Sequence, residues 1–277
     1  MNWLRAKDQS PGARKKRRRR RFWFYGGIFG ALGGFWMWQP WEFDLIPRGQ
    51  PNPNPPVSPA PERLFAKGAK ILLVTAHPDD SEFYIGGTLT QLARSGAEIT
   101  QVVCTPGDKA YYPFEDWKTN QRLRRAEQEE ASGRWKVKEL LILNFRDGRL
   151  RASDDLIHEL RKVMERVEPE YVLGFDGHYP PRLSHQDHRR AGEATESAFW
   201  GYGKAPWLMR FSTSASNYGV DITDDWQPKK ELIAVHKSQF SGERLERVIN
   251  LVASYAEDEG EKIGVPLAEG FRCSHSK

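Results

Sequence analysis

The chain has 277 residues, 39% of them hydrophobic, enough to bury the core of one large domain or two small ones. Its net charge of +5 sits at one end: residues 1–21 carry ten Lys or Arg against the single acid Asp8, so the remainder sums to −4 and the basic balance gives no reason to expect nucleic acid as a partner of the body. Two cysteines, Cys104 and Cys273, exclude a disulfide framework and a thiolate metal site.

The basic residues 1–21 end in the run Arg14 to Arg21, followed at once by 17 uncharged, mostly apolar residues from Phe22 to Trp38. As a helix these reach roughly 26 Å, close to the thickness of a bilayer core. Trp23 and Tyr25 flank one end and Trp36, Trp38 and Trp41 the other, where aromatic rings favour the headgroup level. Residues 22–41 are therefore expected to be a single-pass membrane anchor. By the positive-inside rule, the tail stays cytoplasmic and the rest of the chain lies outside the cytoplasm. No small-residue cleavage site follows, which disfavours a signal peptide. Gly26, Gly30 and Gly34 share one helix face and would let the helix of a second copy approach closely, a contact for a homo-oligomer.

Residues 42–66 read as a linker, because seven prolines between Pro47 and Glu62 favour a semi-rigid spacer of up to about 45 Å. The folded domain is expected over 67–277. There, strands at Lys70 to Thr75, Glu98 to Cys104, Leu140 to Leu143, Tyr171 to Phe175 and Leu208 to Phe211 alternate with helical patterns. The helices are expected at Gly86 to Arg94, Thr119 to Trp135, Asp154 to Val167, His188 to Phe199 and Glu243 to Tyr255. This alternation predicts an α/β fold, a Rossmann-like, mostly parallel sheet with helices on both faces.

Two clusters can carry chemistry. His77-Pro78-Asp79-Asp80 follows the apolar run Ile71-Leu72-Leu73-Val74, and Pro78 stops the strand, so the cluster sits where strand gives way to loop. There an imidazole and a carboxylate can hold a metal ion at roughly 2.0 to 2.2 Å while a neighbouring carboxylate takes a proton from water. Asp79, Asp80 and Glu82 crowd three acids into four residues, which is costly without a cation; a solvated acidic loop is the plain alternative. Farther on, Ser184-His185-Gln186-Asp187-His188 adds two imidazoles three residues apart, with Asp187 beside them to orient one. Either imidazole can bind metal while the other donates; read alone, the run is also a polar loop whose Ser184 or Asp187 caps a helix. His236 either reaches this site or merely opens a helix.

Taken together, Ala76-His77-Pro78-Asp79-Asp80, Gly86-Gly87-Thr88-Leu89 and His185-Gln186-Asp187-His188 resemble the LmbE/PIG-L family of zinc-dependent N-acetylglucosaminide deacetylases. Thr105 with Gly107-Asp108, Arg124 with Glu127, Asp147-Gly148-Arg149-Leu150, His236-Lys237-Ser238-Gln239 and Ala268-Glu269-Gly270-Phe271 agree, so the resemblance runs over residues 68–272. It implies that His77, Asp80 and His188 hold Zn²⁺ and that Asp79 is general base to its water. It further implies that His185 stabilises the oxyanion and protonates the departing amine, with Asp187 fixing the tautomer of His185. Arg124 and Glu127 take a buried structural role outside the site. Three positions depart from the family pattern: Ser81 stands where many members have Glu, Gln186 where the commonest motif has Pro, and Leu183 where some have a Tyr that Tyr179 could replace. The expectation is a membrane-anchored, extracytoplasmic zinc hydrolase that removes the acetyl group from an N-acetylated amino sugar in a glycan or glycolipid. Its rivals are a sugar O-acetyl esterase and a metal-free carbohydrate-binding module.

Overall fold

Ile71 to Thr75 are buried throughout, the pattern of a strand covered on both faces. In the computed structural model, which describes residues 43–45, 61–109, 116–181 and 183–276, this strand is β2 (Lys70–Thr75). It follows a three-residue strand, β1 (Phe43–Leu45). On one side β2 pairs in parallel with β3 (Glu98–Val103), which pairs in parallel with β4 (Glu139–Ile142). On the other it pairs in parallel with β5 (Tyr171–Phe175); a short β6 (Leu183–His185) follows in the chain, and β7 (Trp207–Phe211) lies parallel beside β5. The sheet then changes sense: β9 (Ala268–His275) runs antiparallel between β7 and β8 (Tyr218–Asp221), giving the order β4-β3-β2-β5-β7-β9-β8. The expected mostly parallel Rossmann-like sheet is therefore present, with an antiparallel edge.

Helices flank it: α1 (Asp80–Ser95), α2 (Trp117–Arg134), α3 (Asp154–Val167), α4 (Gln186–Tyr202), α5 (Trp226–Ile233) and α6 (Gly242–Ile263). Helix α3 has the expected bounds, set by Ser153, whose side chain accepts from Leu156 N. Helix α1 begins six residues before the expected Gly86. It is broken at Ile85 (φ −133°), and the carboxylate of Glu269 on β9 accepts from Gly87 N at 2.9 Å and Thr88 N at 2.7 Å, capping the second segment. Strand β9 escapes the hydrophobic pattern because it buries Glu269 and Arg272 among its apolar residues; β8 and α5 were not expected either.

The sheet and helices enclose one apolar core that includes Leu72, Val74, Leu173, Met209 and Phe271. Leu64 is fully buried in it and bonds back to Pro61 O, so packing starts before the boundary expected at 67. The basic tail 1–21, the expected anchor 22–41 with Gly26, Gly30 and Gly34, and the linker up to residue 60 apart from β1 lie outside the described residues. Among the described residues, no helix is long and apolar enough to cross a membrane.

The order of strands positions the site. From β2 the chain proceeds to β3 and β4 on one side, then returns to β5 on the other, so the carboxyl end of β2 lies at a topological switch point. His77 follows that end by two residues.

Candidate metal centre and active site

The first cluster is held by its own backbone. Asp80 Oδ2 accepts from Ala76 N at 3.1 Å and His77 N at 2.7 Å, folding the chain back as β2 ends. Between them Asp79 takes the left-handed conformation (φ 96°, ψ −24°), a strain of about 1 to 3 kcal/mol that Asp tolerates better than most residues. Its carboxylate pairs with Arg124 at 3.0 Å, and its N–H donates to Gln128 Oε1 at 2.8 Å.

Strand β6 and the start of α4 deliver the second cluster. His185 is the N-cap of α4, and its Nδ1 accepts from Asp187 N at 3.1 Å, which leaves the proton of a neutral ring on Nε2. His188 points Nε2 at Asp80 Oδ1, 3.0 Å away, and its Nδ1 lies 3.5 Å from Tyr84 Oη. Its ring stacks on Phe175 at 4.1 Å. The imidazole centroids of His77, His185 and His188 are 4.8 to 5.3 Å apart.

His77 has a different partner on each nitrogen. Nε2 lies 3.2 Å from Asp147 Oδ1 and 3.3 Å from Asp187 Oδ2; Nδ1 lies 3.6 Å from Asp80 Oδ2. Asp187 also accepts from Gly148 N and Leu150 N, and Asp147 from Lys109 N, so both carboxylates are fixed in place. With Nε2 donating to them, the lone pair on Nδ1 is left for a cation, facing the same carboxylate that His188 Nε2 faces. Two ligands at about 2.1 Å from a tetrahedral ion stand about 3.4 Å apart, and the separations of 3.0 and 3.6 Å bracket that value. Among the described residues, two groupings of ligand atoms fall within 4.8 Å: His77, His185 and His188, and His77, Asp147 and Asp187. The second shares His77 but meets it at Nε2, behind the imidazole rather than on its Asp80 side.

The electrostatics agree with a cation-binding role. Burial works against ionising Asp80, yet His188 and His77 hold its carboxyl far below the usual range; burial likewise opposes the Asp147 carboxylate, which His77 holds down. Burial pushes the Asp79 carboxyl up to about 6; Arg124 pulls against that, and Asp80 adds to it. Burial disfavours the charged imidazole of His77, but Asp147, Asp187 and Asp80 raise its pKa well above the ordinary value. Three buried carboxylates around one imidazole, with a fourth, that of Asp79, beside them and paired to Arg124, make a pocket that a cation would neutralise.

Comparison with known proteins fits this geometry. Residues 72–199 match the PIG-L family, described as GlcNAc-PI de-N-acetylase. Diacetylchitobiose deacetylase from Thermococcus kodakarensis is 30% identical over 223 residues, covering 73% of this chain and 82% of that one. The chain belongs to the PIG-L family. It is thus an N-deacetylase, an amidohydrolase acting on linear amides. The solved N,N'-diacetylchitobiose deacetylase from Pyrococcus horikoshii superposes with a TM-score of 0.72 at 32% identity, over 78% of this chain and 88% of that one. A probable N-acetyl-alpha-D-glucosaminyl L-malate deacetylase from Bacillus anthracis is 27% identical over 188 residues, covering 62% of this chain and 81% of that one.

Several PIG-L motif residues stand elsewhere than their sequence suggests. The carboxylate of Asp187 serves His77, Gly148 and Leu150, while its backbone N–H reaches His185; the tautomer-fixing role expected of the side chain belongs to the main chain. Glu82 turns away from Asp79 and Asp80 and bonds Trp135 Nε1, Ser81 and His236 Nε2, so His236 lies behind the site. Arg124, assigned a structural role only, pairs with Asp79, while Glu127 does take one, accepting from Ser238 N and Oγ. Leu183 is 39% exposed, and Tyr179, the candidate substitute phenol, has its ring under the Arg272 guanidinium at 4.9 Å.

Asp147, Tyr84 and Phe175 also reach the PIG-L site without having been singled out for it. Asp147 follows β4 in the run Asp147-Gly148-Arg149-Leu150, which marks the family resemblance, but its contact with His77 is decided by the fold. Tyr84 lies four residues after Asp80, one helix turn on, a spacing hidden by placing the helix start at Gly86.

Proposed function

We propose that this protein is a Zn²⁺-dependent hydrolase that removes the acetyl group from an N-acetylglucosamine-containing compound, with His77, Asp80 and His188 as metal ligands. The convergence of His77 Nδ1 and His188 Nε2 on the two oxygens of Asp80 carries this reading. The activity named for the diacetylchitobiose deacetylases of Thermococcus kodakarensis and Pyrococcus horikoshii supports the substrate class. The chemistry a bound Zn²⁺ supplies is polarisation of the acetyl carbonyl and acidification of a water. Asp79, with its carboxyl raised to about 6, takes the proton of the attacking water near neutral pH. His185, whose Nδ1 accepts from the backbone, presents Nε2–H to the oxygen that gains charge as water adds to the carbonyl carbon. When the C–N bond breaks, the amine nitrogen takes the proton passed through these groups, and acetate and the free amino sugar leave. Asp147 and Asp187 hold His77 in the tautomer that leaves Nδ1 open, and Tyr84 and Phe175 hold His188.

The second part of the proposal is location. Residues 22–41 tether the enzyme to a membrane, and the basic run before them places the catalytic domain outside the cytoplasm, which suits an envelope glycan or glycolipid. A reporter fused after Lys277 should read extracytoplasmic; a cytosolic reading overturns the envelope substrate. For the activity, the full chain in detergent with Zn²⁺ should release acetate from N,N'-diacetylchitobiose or an N-acetylglucosaminyl glycolipid. Acetate release from O-acetyl sugars alone, or from neither class, overturns it.

A further inference from the structure

Asp79 needs outside support to stay at φ 96°, since a non-glycine residue there persists only where its surroundings hold it. That support comes from one face of α2. Arg124 donates to Pro78 O and to Asp79 Oδ2; one turn later Gln128, fully buried, accepts from the Asp79 backbone N–H at 2.8 Å.

The carboxamide of Gln128 has a single workable orientation. Its other end lies 3.1 Å from Glu82 Oε1, an acceptor, and 3.0 Å from Ser132 Oγ, whose own proton goes to Gln101 Oε1 at 2.8 Å. The end facing Glu82 must therefore be the NH₂, and the end facing Asp79 the carbonyl. Glu82 is in turn fixed by Trp135 Nε1, Ser81 Oγ and His236 Nε2, at 2.8, 2.9 and 3.0 Å. Gln128, Glu82, Ser132, Gln101, Ser81, Trp135 and His236 are all buried. The acid that a reading of the sequence groups with Asp79 and Asp80 thus acts on Asp79 from behind, through Gln128.

From this arrangement we propose that Gln128 is a positioning residue for Asp79: its carbonyl holds the left-handed turn that presents the carboxylate to the site. Without that acceptor, the half-buried Asp79 N–H loses its partner, and the turn relaxes toward an ordinary helical start, carrying the carboxylate away from the reacting water. The inference rests on the reading of Asp79 as general base.

The test is Gln128→Met in the full chain, which keeps the side-chain volume and removes the acceptor. It should lower kcat on N,N'-diacetylchitobiose at least tenfold, leave KM within about twofold and keep Zn²⁺ stoichiometric by elemental analysis. A merely structural role would instead lower the Tm and the folded fraction while the folded molecules turn over normally, and that result overturns the proposal, as does loss of Zn²⁺. If Gln128→Met does not fold, Gln128→Asn reads the same quantity, since it stays polar but stops one methylene short of Asp79. Asp79→Asn measured alongside separates the two ideas. An Asp79→Asn that turns over like wild type sinks the base assignment, whereas a dead Asp79→Asn beside a fully active Gln128 variant sinks only the positioning role.

Discussion

The carboxylate of Asp176, just beyond the end of β5, accepts five hydrogen bonds, from Arg272 Nε (2.6 Å) and Nη2 (2.8 Å), Thr213 Oγ1 (2.7 Å), and the N–H groups of His178 (3.0 Å) and Tyr179 (2.9 Å). Asp176→Asn keeps the volume but sets an NH₂ group among these donors and leaves a buried guanidinium short of its counter-charge. Breaking one side of a buried pair costs about 3 to 5 kcal/mol. At roughly 2 to 4 °C per kcal/mol for a domain of this size, Tm should fall by about 10 °C at pH 7, read by scanning calorimetry. The pH dependence has a definite sign. Burial opposes the Asp176 carboxylate, but Arg272 holds its pKa below the ordinary 3.8, so the pair's contribution is complete above about pH 4 and fades as pH falls through the folded-state value. The gap between wild type and Asp176→Asn should therefore narrow below pH 4. A Tm difference under about 2 °C at pH 7, or a gap that widens in acid, would refute the reasoning.

Asp80→Ala and His188→Ala should empty of metal under a chelator that leaves wild type loaded, with activity partly restored by added Zn²⁺, while Asp79→Asn stays loaded and loses about 10² to 10⁴-fold in turnover; elemental analysis showing the reverse pattern reverses base and ligand. Glu269→Ala removes the carboxylate that Lys229, Gly87 N and Thr88 N share inside the fold and should cost at least about 3 kcal/mol in urea unfolding, a prediction lost if the midpoint is unmoved. A chain beginning at Pro61 should match the full-length domain in Tm, whereas one beginning at Lys67 forfeits the burial of Leu64, worth about 2 kcal/mol; equal stability of the two would show that Leu64 contributes nothing.

Local information decided most of the parallel half of the fold. Ile71 to Val74 and Tyr171 to Phe175 are continuous apolar runs because both faces are covered, and Asp154 to Val167 carries its periodicity within itself and its cap, Ser153, just before it. His77, Asp80, His185 and His188 could be picked out as two clusters beside strand ends, each with a plain alternative as a polar loop; the fold brings the two clusters together, with His188 Nε2 3.0 Å from Asp80 Oδ1. The positions the tertiary structure alone decided are those where a charge meets its partner across the fold. β9 was invisible because Glu269 and Arg272 interrupt its pattern; each is acceptable inside only because Lys229 and Asp176 are there to meet it. The break in α1 at Ile85 follows from Glu269, a carboxylate more than 180 residues downstream. The roles of Asp147, Asp187, Glu82 and Arg124 depend likewise on which imidazole or amide lies within 3 to 4 Å, a question of distance that residue type and spacing leave open.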